Sequence, residues 1–538
     1  MKLVLFIIFS TICSINASNI HIALRQQNLR ELYTNAWSVS DPGSPDFLQF
    51  WSEEEIRNLT SPPLKIRKEV TKWLTTIGIS PTTLQDRGDS IVFPYSPAYA
   101  KSLQTEIPKQ LVHVIDMIIG LEPVAKRPTF SKAWSKDKVD TSVDPGIIGR
   151  EVIERLYNVS SLQGTVDIGV VQYDVGEGFS QSDLRAYQVA NGLAPKNVSA
   201  DHIIGTEFGH GGEGELDIQM ISNLADASLW FISINGWIYD FATEFFTWKK
   251  YPTILSHSYG WAEDEQCAIV NCTNFTNADY VRRTNTELAK IALKGVTLLV
   301  ASGDAGSPGR TDEYCIGKLQ TNPVFPGSSP WVLSVGATYI VANSSNDTVA
   351  QYTTPLCQKH GCATGILEEE TTFNITQWTS GSGFGIYSEP RNKWQASAVK
   401  NYLDSGVPLP PESAYNRYGR AYPDISTVGQ NCALFMYGEL VEEDGTSCSS
   451  PVMAALVGYI SSQLNTRLGV FTPVLYDLYY KHPGLFNDIT VGYSGCTESK
   501  CCRDNWGFEA TNGWDAASGL GTPNVDRIVE ELRKHVQS

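Results

Sequence analysis

Short, wholly apolar runs closed by glycine or an acid recur along the C-terminal three quarters of the chain. They are VDIGVVQYD (Val166–Asp174), PTILSHSYG (Pro252–Gly260), VTLLVASGD (Val296–Asp304) and WVLSVGAT (Trp331–Thr338), with helical stretches between them. Runs that are apolar at every position, rather than at every second one, belong to strands covered on both faces. The pattern therefore predicts an α/β domain with a mostly parallel sheet flanked by helices. Residues 18 to about 140 read differently. Strand-like HIALRQ precedes a helical stretch over Asn28–Val39 and the turn DPGSPD, and a second amphipathic stretch, Leu64–Ile77, is stopped by Gly78. The basic segment Ala125–Gly146, AKRPTFSKAWSKDKVDTSVDPG, is helix-poor and reads as a linker open to proteolysis. No internal repeat or low-complexity tract is evident.

The N-terminus, MKLVLFIIFSTICSINAS, has one lysine, an apolar run over Leu3–Ile12 and a small residue at Ala17. It reads as a secretory signal peptide cleaved near Ala17, too short to span a bilayer, which takes roughly 20 apolar residues. No later segment qualifies as a span. Removing Cys13 with the signal leaves ten of the 11 cysteines, an even number that fits disulfides in an oxidising compartment. Zinc binding by the close pairs Cys267/Cys272 and Cys357/Cys362 and the cluster Cys496, Cys501, Cys502 is the weaker reading, because alternating His ligands are lacking. Glycosylation sequons at Asn58, Asn158, Asn197, Asn271, Asn274, Asn343, Asn346 and Asn374 point to the secretory pathway.

Over 538 residues, 41 Lys+Arg face 58 Asp+Glu, a net charge of −17 that argues against nucleic acid as a partner. Residues 18–140 carry 15 Lys+Arg and 14 Asp+Glu, and the signal one Lys, so residues 141–538 hold a charge of −19. The acidic excess belongs wholly to the C-terminal domain and predicts an acidic working compartment.

The strongest chemical signal is GTSCSSP (Gly445–Pro451), which runs into the apolar VMAALVGYI. A serine in a Gly-preceded turn at the start of a buried helix is placed to act as a nucleophile near free N–H groups; the alternative is a simple helix cap. A serine nucleophile needs a base. Only eight histidines exist, and His210 in FGHGGEGELD, with Asp174 as its orienting acid, is one candidate. The same stretch offers Glu213 and Asp217, whose i, i+4 spacing puts two carboxylates on one helix face, where they share a proton over part of the acidic range. A solvated acidic helix start is the alternative, and Glu215 between them points elsewhere. Asp304 closes an apolar strand at its C-terminal end, where α/β folds place function; a helix N-cap is the alternative.

These three motifs, in this order, resemble the sedolisin family of serine-carboxyl peptidases, above all its tripeptidyl peptidases. IALRQQN and WSVSDPGSPDF resemble that family's propeptide. SHSYG, RRTNTELAKIALKGVTLLVASGD, GSGFG, GRAYPD and NGWDAASGLGTPN resemble its catalytic domain. The resemblance implies a signal peptide over 1–17, a ferredoxin-like α/β propeptide over 18–124, a linker with the maturation cleavage over 125–146, and a subtilisin-like peptidase over 147–538. It implies Ser447 as nucleophile, Glu213 as general base, Asp217 orienting Glu213, and Asp304 as the oxyanion-hole acid. It also implies one Ca2+ ion held by Asp488, Ile489, Thr511, Gly513 and Asp515. The activity implied is acid release of tripeptides from free N-termini of peptides and proteins, with the propeptide as intramolecular inhibitor and the lysosome or the cell exterior as destination. An acid endopeptidase is the rival. Two departures stand beside the nucleophile: Asp444 before GTS, and Cys448 where a small Ala is common.

Overall fold

A computed structural model describes residues 19–103, 107–122, 132–133, 145–173, 177–205, 209–317, 320–341, 351–388, 392–502 and 506–536. The signal segment, Asp174, Asn343, Asn346 and most of the linker lie outside the described residues.

The N-terminal part forms β1 (Asn19–Leu24), α1 (Leu29–Ser38), α2 (Glu53–Thr60), α3 (Leu64–Thr76), β2 (Gln85–Asp86), β3 (Ser90–Pro94), α4 (Pro97–Leu103) and β4 (Ile115–Ile119). Helix α3 ends where expected, with Gly78 in the left-handed region at φ +94°. The strand order β2-β3-β1-β4, all antiparallel, is the ferredoxin-like arrangement, with its own apolar core around Ile22, Val70, Leu74 and Phe93.

The second part is built on an eight-stranded sheet. After the two-residue strand β5 (Lys132–Ala133), its elements are β6 (Asp167–Gln172), α5 (Gln181–Ala190), β7 (Ile203–Ile204), α6 (Gly212–Ile221), β8 (Ser228–Ser233), α7 (Ile238–Glu244) and β9 (Ile254–His257). There follow α8 (Asn277–Leu293), β10 (Thr297–Ala301), β11 (Leu333–Ile340), β12 (Glu368–Glu370), β13 (Ile425–Val428), the hairpin β14 (Cys432–Met436) and β15 (Glu439–Asp444), and α9 (Thr446–Leu464). The sheet runs β12-β11-β10-β9-β6-β8-β7 with β13 also on β11, and only β12 is antiparallel. The four apolar runs read from the sequence supply β6, β9, β10 and β11. Helix α9 is apolar all round and buried from Thr446 to Ser461, so it runs through the core rather than over it.

The two parts meet across a broad face of α7 and α8. Trp37 of α1 stacks on Trp331 at 4.2 Å, and the Phe50 ring sits where a Cβ on Gly295 would come within 2.5 Å of it. Beneath lies a buried ionic cluster. Lys290 Nζ donates to Asp89 at 2.7 Å, Arg283 pairs with Glu287 at 3.0 Å, and Gln26 Nε2 donates to both Asp89 and Glu287. His21 of β1, fully buried, faces Asp240 of α7 at 3.4 Å.

The ten cysteines among the described residues are all paired: Cys267–Cys272, Cys315–Cys502, Cys357–Cys362, Cys432–Cys448 and Cys496–Cys501. Among the described residues no free cysteine is left for zinc. No helix among the described residues is long and apolar enough to cross a membrane. The six sequon asparagines that are described are all exposed.

Candidate active site

Three parallel strands and two helix N-termini converge at one end of the sheet. Gly445, at φ +142°, makes the sharp entry into α9, a conformation open to glycine alone at little cost, and delivers Ser447 into the first turn. The Ser447 hydroxyl is fully buried and has no hydrogen-bond partner among the described residues. It is not committed to capping its own helix.

Helix α6 carries Glu213 and Asp217, 1% and 0% exposed, so the solvated-face reading fails. Its first turn is held by Glu177, whose Oε2 accepts the Glu213 N–H at 3.2 Å. Asp217 is fixed by two donors: Gln172 Nε2 at the end of β6 gives to Oδ2 at 2.7 Å, and Ser258 just beyond β9 gives to Oδ1 at 2.7 Å. Tyr259 OH donates to Gln172 Oε1 at 2.6 Å, which sets the amide's orientation. Ser258 Oγ also lies 3.4 Å from the Ser447 carbonyl oxygen, tying the carboxylate to the backbone of that serine. Burial, and then the neighbouring Glu443 and Glu177 carboxylates, push the Asp217 carboxyl well above the usual range.

Asp304 follows β10 and reaches across to α9. Its Oδ1 accepts the Thr446 N–H at 2.8 Å and the Thr446 hydroxyl at 2.7 Å. It is thus a helix cap after all, but of the helix that carries Ser447, 142 residues away. Burial pushes its carboxyl up to about 7 against the Arg310 guanidinium, whose nearest approach to Oδ2 is 3.5 Å. Arg310 is itself held by Glu498 in a two-bond pair at 2.8 and 2.7 Å, so its charge is largely spent there. A partly enclosed cleft lined by Gly260, Trp261, Asp304, Gly306, Arg310 and Asn322 opens beside this acid.

The other candidates fall elsewhere. His210 Nδ1 lies 3.3 Å from Glu215 Oε1 and 3.9 Å from Asp183 Oδ2, on the flank of α6. Both carboxylates are already occupied: Ser180 N–H and Gln219 donate to Glu215, and the Tyr437 and Gly438 N–H groups donate to Asp183. Asp444 Oδ1 accepts the Asn431 N–H at 2.6 Å, which closes the base of the β14–β15 hairpin. Cys448 bonds Cys432, pinning the turn that carries Ser447 to β14.

At the far C-terminal end the five residues expected to bind calcium come together. Asp488 Oδ2 accepts the Gly513 N–H at 2.9 Å, Asp515 Oδ2 accepts the Thr511 N–H at 2.9 Å, and Ser518 Oγ links Asp515 Oδ1 to the Ile489 carbonyl. Burial pushes Asp515 up to about 8 and raises Asp488. One buried acid, Asp515, and one exposed acid, Asp488, beside backbone carbonyls form an oxygen donor set that a hard divalent cation satisfies. Nearby Glu370, 0% exposed and without a hydrogen-bond partner for either oxygen among the described residues, adds its field to Asp515. Sequence reading missed it, as it missed Gln172 and Ser258; the last stands in the SHSYG motif, at a strand's C-terminal end.

Comparison with known proteins agrees with this arrangement. Residues 14–103 match the family described as Pro-kumamolisin, activation domain. The chain is 33% identical over 546 residues to Physarolisin of Physarum polycephalum, covering 95% of this chain and 92% of that protein. It is 28% identical over 571 residues to Tripeptidyl-peptidase 1 of Homo sapiens, covering 95% and 90%. In fold it is similar to Pseudomonas sedolisin, a serine-carboxyl proteinase solved with pseudo-iodotyrostatin, at TM-score 0.55 and 22% identity over 72% of this chain and 98% of that one. A buried serine beside carboxylates, an activation domain docked on an α/β core and this degree of identity lead to one conclusion: the chain is a serine peptidase of the sedolisin family.

Proposed function

We propose that this peptidase is made as a secretory zymogen and, in an acidic compartment, releases tripeptides from the free N-termini of peptides and proteins. Its parts are a signal peptide over 1–17, an inhibitory activation domain over 18–124, a linker over 125–146 where maturation cleavage falls, and the peptidase over 147–538. The lysosome and the cell exterior are the destinations of this route.

The observation that carries the reading is the Asp304–Thr446 contact. It puts a carboxyl, kept protonated by burial below about pH 7, against the turn that presents Ser447. Glu213 takes the Ser447 proton while Oγ attacks the scissile carbonyl. The oxyanion that forms is met by the Asp304 O–H, a donor available only while that acid is protonated. Glu213 then returns the proton to the leaving amine, and accepts one from water as the acyl-enzyme is hydrolysed. Asp217, held by Gln172 and Ser258, keeps Glu213 oriented. A glutamate base remains usable at acidic pH, where an imidazole is protonated.

The C-terminal cradle takes one Ca2+ ion through the Asp488 and Asp515 carboxylates and the Ile489, Thr511 and Gly513 carbonyls. The ion's charge would compensate the buried Asp515 and the neighbouring Asp488, and so support structure. Hydrolysis of a free-amine tripeptide substrate against pH tests the whole reading, together with Ser447→Ala and His210→Ala. Activity confined to acidic pH, lost with Ser447 and kept without His210, supports it; a neutral optimum overturns it. Efficient cleavage of N-blocked peptides makes the enzyme an endopeptidase instead.

A further inference from the structure

The hairpin strand β15, ELVEED, carries four carboxylates, Glu439, Glu442, Glu443 and Asp444, and ends three residues before Ser447. One edge pairs with β14 along the whole strand. On the other edge, among the described residues, only Glu443 and Asp444 are paired, antiparallel to the linker strand β5, with Glu443 opposite Ala133 and Asp444 opposite Lys132. The register gives this pairing a direction. A strand in this antiparallel register has its N-terminal end toward Ser447 and its C-terminal end back along β15. A peptide lying here with its scissile bond at the nucleophile therefore places its leaving-group segment on β15, adding a strand to the open edge.

The charges are complementary. The linker is basic over this stretch, with Lys126, Arg127, Lys132, Lys136 and Lys138 within residues 125–138. Glu443 is only 2% exposed, and its Oε2 has no hydrogen-bond partner among the described residues. Its side chain lies against the start of α6, where a Cβ on Gly212 would come within 2.7 Å of Oε1. The groups that face it are Glu177, Glu215, Asp217 and Asp444, all acids. A buried, unpaired carboxyl among like charges is unfavourable, and a cationic side chain brought in by a bound chain relieves it.

We propose that β15 is the docking strand for the leaving-group segment of the substrate, and that Glu443 selects peptides carrying Lys or Arg at the position opposite it. In the zymogen Lys132 and Ala133 of the basic linker pair with the same edge. This rests on the acid-peptidase reading above.

The test is a set of free-amine, internally quenched peptides with one fixed N-terminal tripeptide and a four-residue leaving segment through which a single Lys or Glu is moved. For wild-type enzyme, kcat/KM for Lys over Glu should reach at least about tenfold at one position. The ratio should grow as pH rises from about 4 toward about 7, the range in which Glu443 ionises, and shrink in high salt. In Glu443→Gln it should fall to near one at that position. Each ratio is taken within one variant, so a general loss of activity does not enter it, and the pH and salt dependence of the wild type stand if the variant misfolds. A flat scan in an active wild-type enzyme, or a ratio that survives Glu443→Gln, overturns the proposal. Failure to cleave any free-amine peptide at acidic pH overturns instead the reading on which it rests.

Discussion

His21 sits in β1 with no exposure to solvent, its ring edge-on to Tyr239 and its Nε2 3.4 Å from Asp240. Burial, helped by the Arg87 guanidinium, pushes this imidazole down to about 3. Asp240 opposes that shift, but its other oxygen is already engaged by the Trp237 N–H at 2.7 Å, and full burial outweighs it. The docked propeptide therefore holds His21 neutral, while a released one carries it at the ordinary value of 6.5. Docking is undiminished above that value and is weakened as pH falls toward about 3. Each unit is worth about 1.4 kcal/mol, so at about pH 4.5 the loss is about 2.7 kcal/mol, a factor of about 100 toward release.

The ionic cluster below does not release in the same range. Lys290 and Arg283 hold Asp89 down at about 2 against its burial, so its contribution is present above 3.8 and fails only as pH approaches 2. His21 is thus the acid-sensitive contact and Asp89 the acid-resistant one. His21→Leu removes the titration while keeping an apolar body, and His21→Gln keeps a polar one. For both, conversion of purified zymogen at about pH 4.5, followed by gel and by hydrolysis of a tripeptide substrate, should slow by up to about 100-fold, and the pH of half-conversion should fall. If both variants convert with the wild-type pH dependence, His21 does not couple docking to acid.

Ser258→Ala removes one of the two donors to Asp217; kcat should drop about 10- to 100-fold with KM little changed, and the acid limb of the pH profile should move upward because that hydrogen bond favours the ionised carboxyl. Replacing Cys432 and Cys448 together opens a crosslink between residues 16 apart, and calorimetry should show a loss of about 3 kcal/mol and a melting temperature several degrees lower. Chelation with EDTA should lower the melting temperature of wild-type enzyme, with added Ca2+ restoring it, and Asp515→Asn should abolish that response.

What could be read from the chain followed the length scale of each signal. The central strands were legible because burial on both faces leaves largely apolar runs, Asp304 because it closes one of them, and Ser447 and Glu213 because each stands in a short glycine-containing motif at the start of a helix. Helix α2 also carries a local signal that the sequence reading passed over, the capping box of Ser52 and Glu55. Strand β15 had none, since ELVEED is polar at four of six positions and becomes a strand only by pairing with β14. Gln172 and Ser258 are ordinary polar residues until the parallel sheet brings two strand ends to one carboxylate. Asp89 and Lys290 are 201 residues apart, and nothing local marks either as part of a buried cluster. Cys448 could be suspected of pairing, but its partner was fixed only by the placement of β14 against α9.

The titrating groups of the two parts work in opposite directions, and this predicts how stability changes on maturation. In the peptidase part, burial raises the carboxyls of Asp304, Glu215 and Glu443 to about 7. A carboxyl that is protonated in the fold but ionises near pH 4 when unfolded adds stability at low pH, and loses it as pH rises from about 4 through 7. For Asp304, fully buried, the shift from 3.8 to about 7 corresponds to about 4 kcal/mol over that interval. The propeptide interface behaves oppositely, because neutral His21 favours docking at neutral pH. Mature enzyme should therefore melt several degrees higher at about pH 4.5 than at about pH 7, whereas the zymogen, stabilised at neutral pH by its docked domain, should lose much of that difference. Differential scanning calorimetry of both forms at the two pH values measures it. A mature enzyme that melts higher at neutral pH would mean that these carboxyls are ionised and compensated in the folded state, and that the −19 charge on residues 141–538 is carried without penalty.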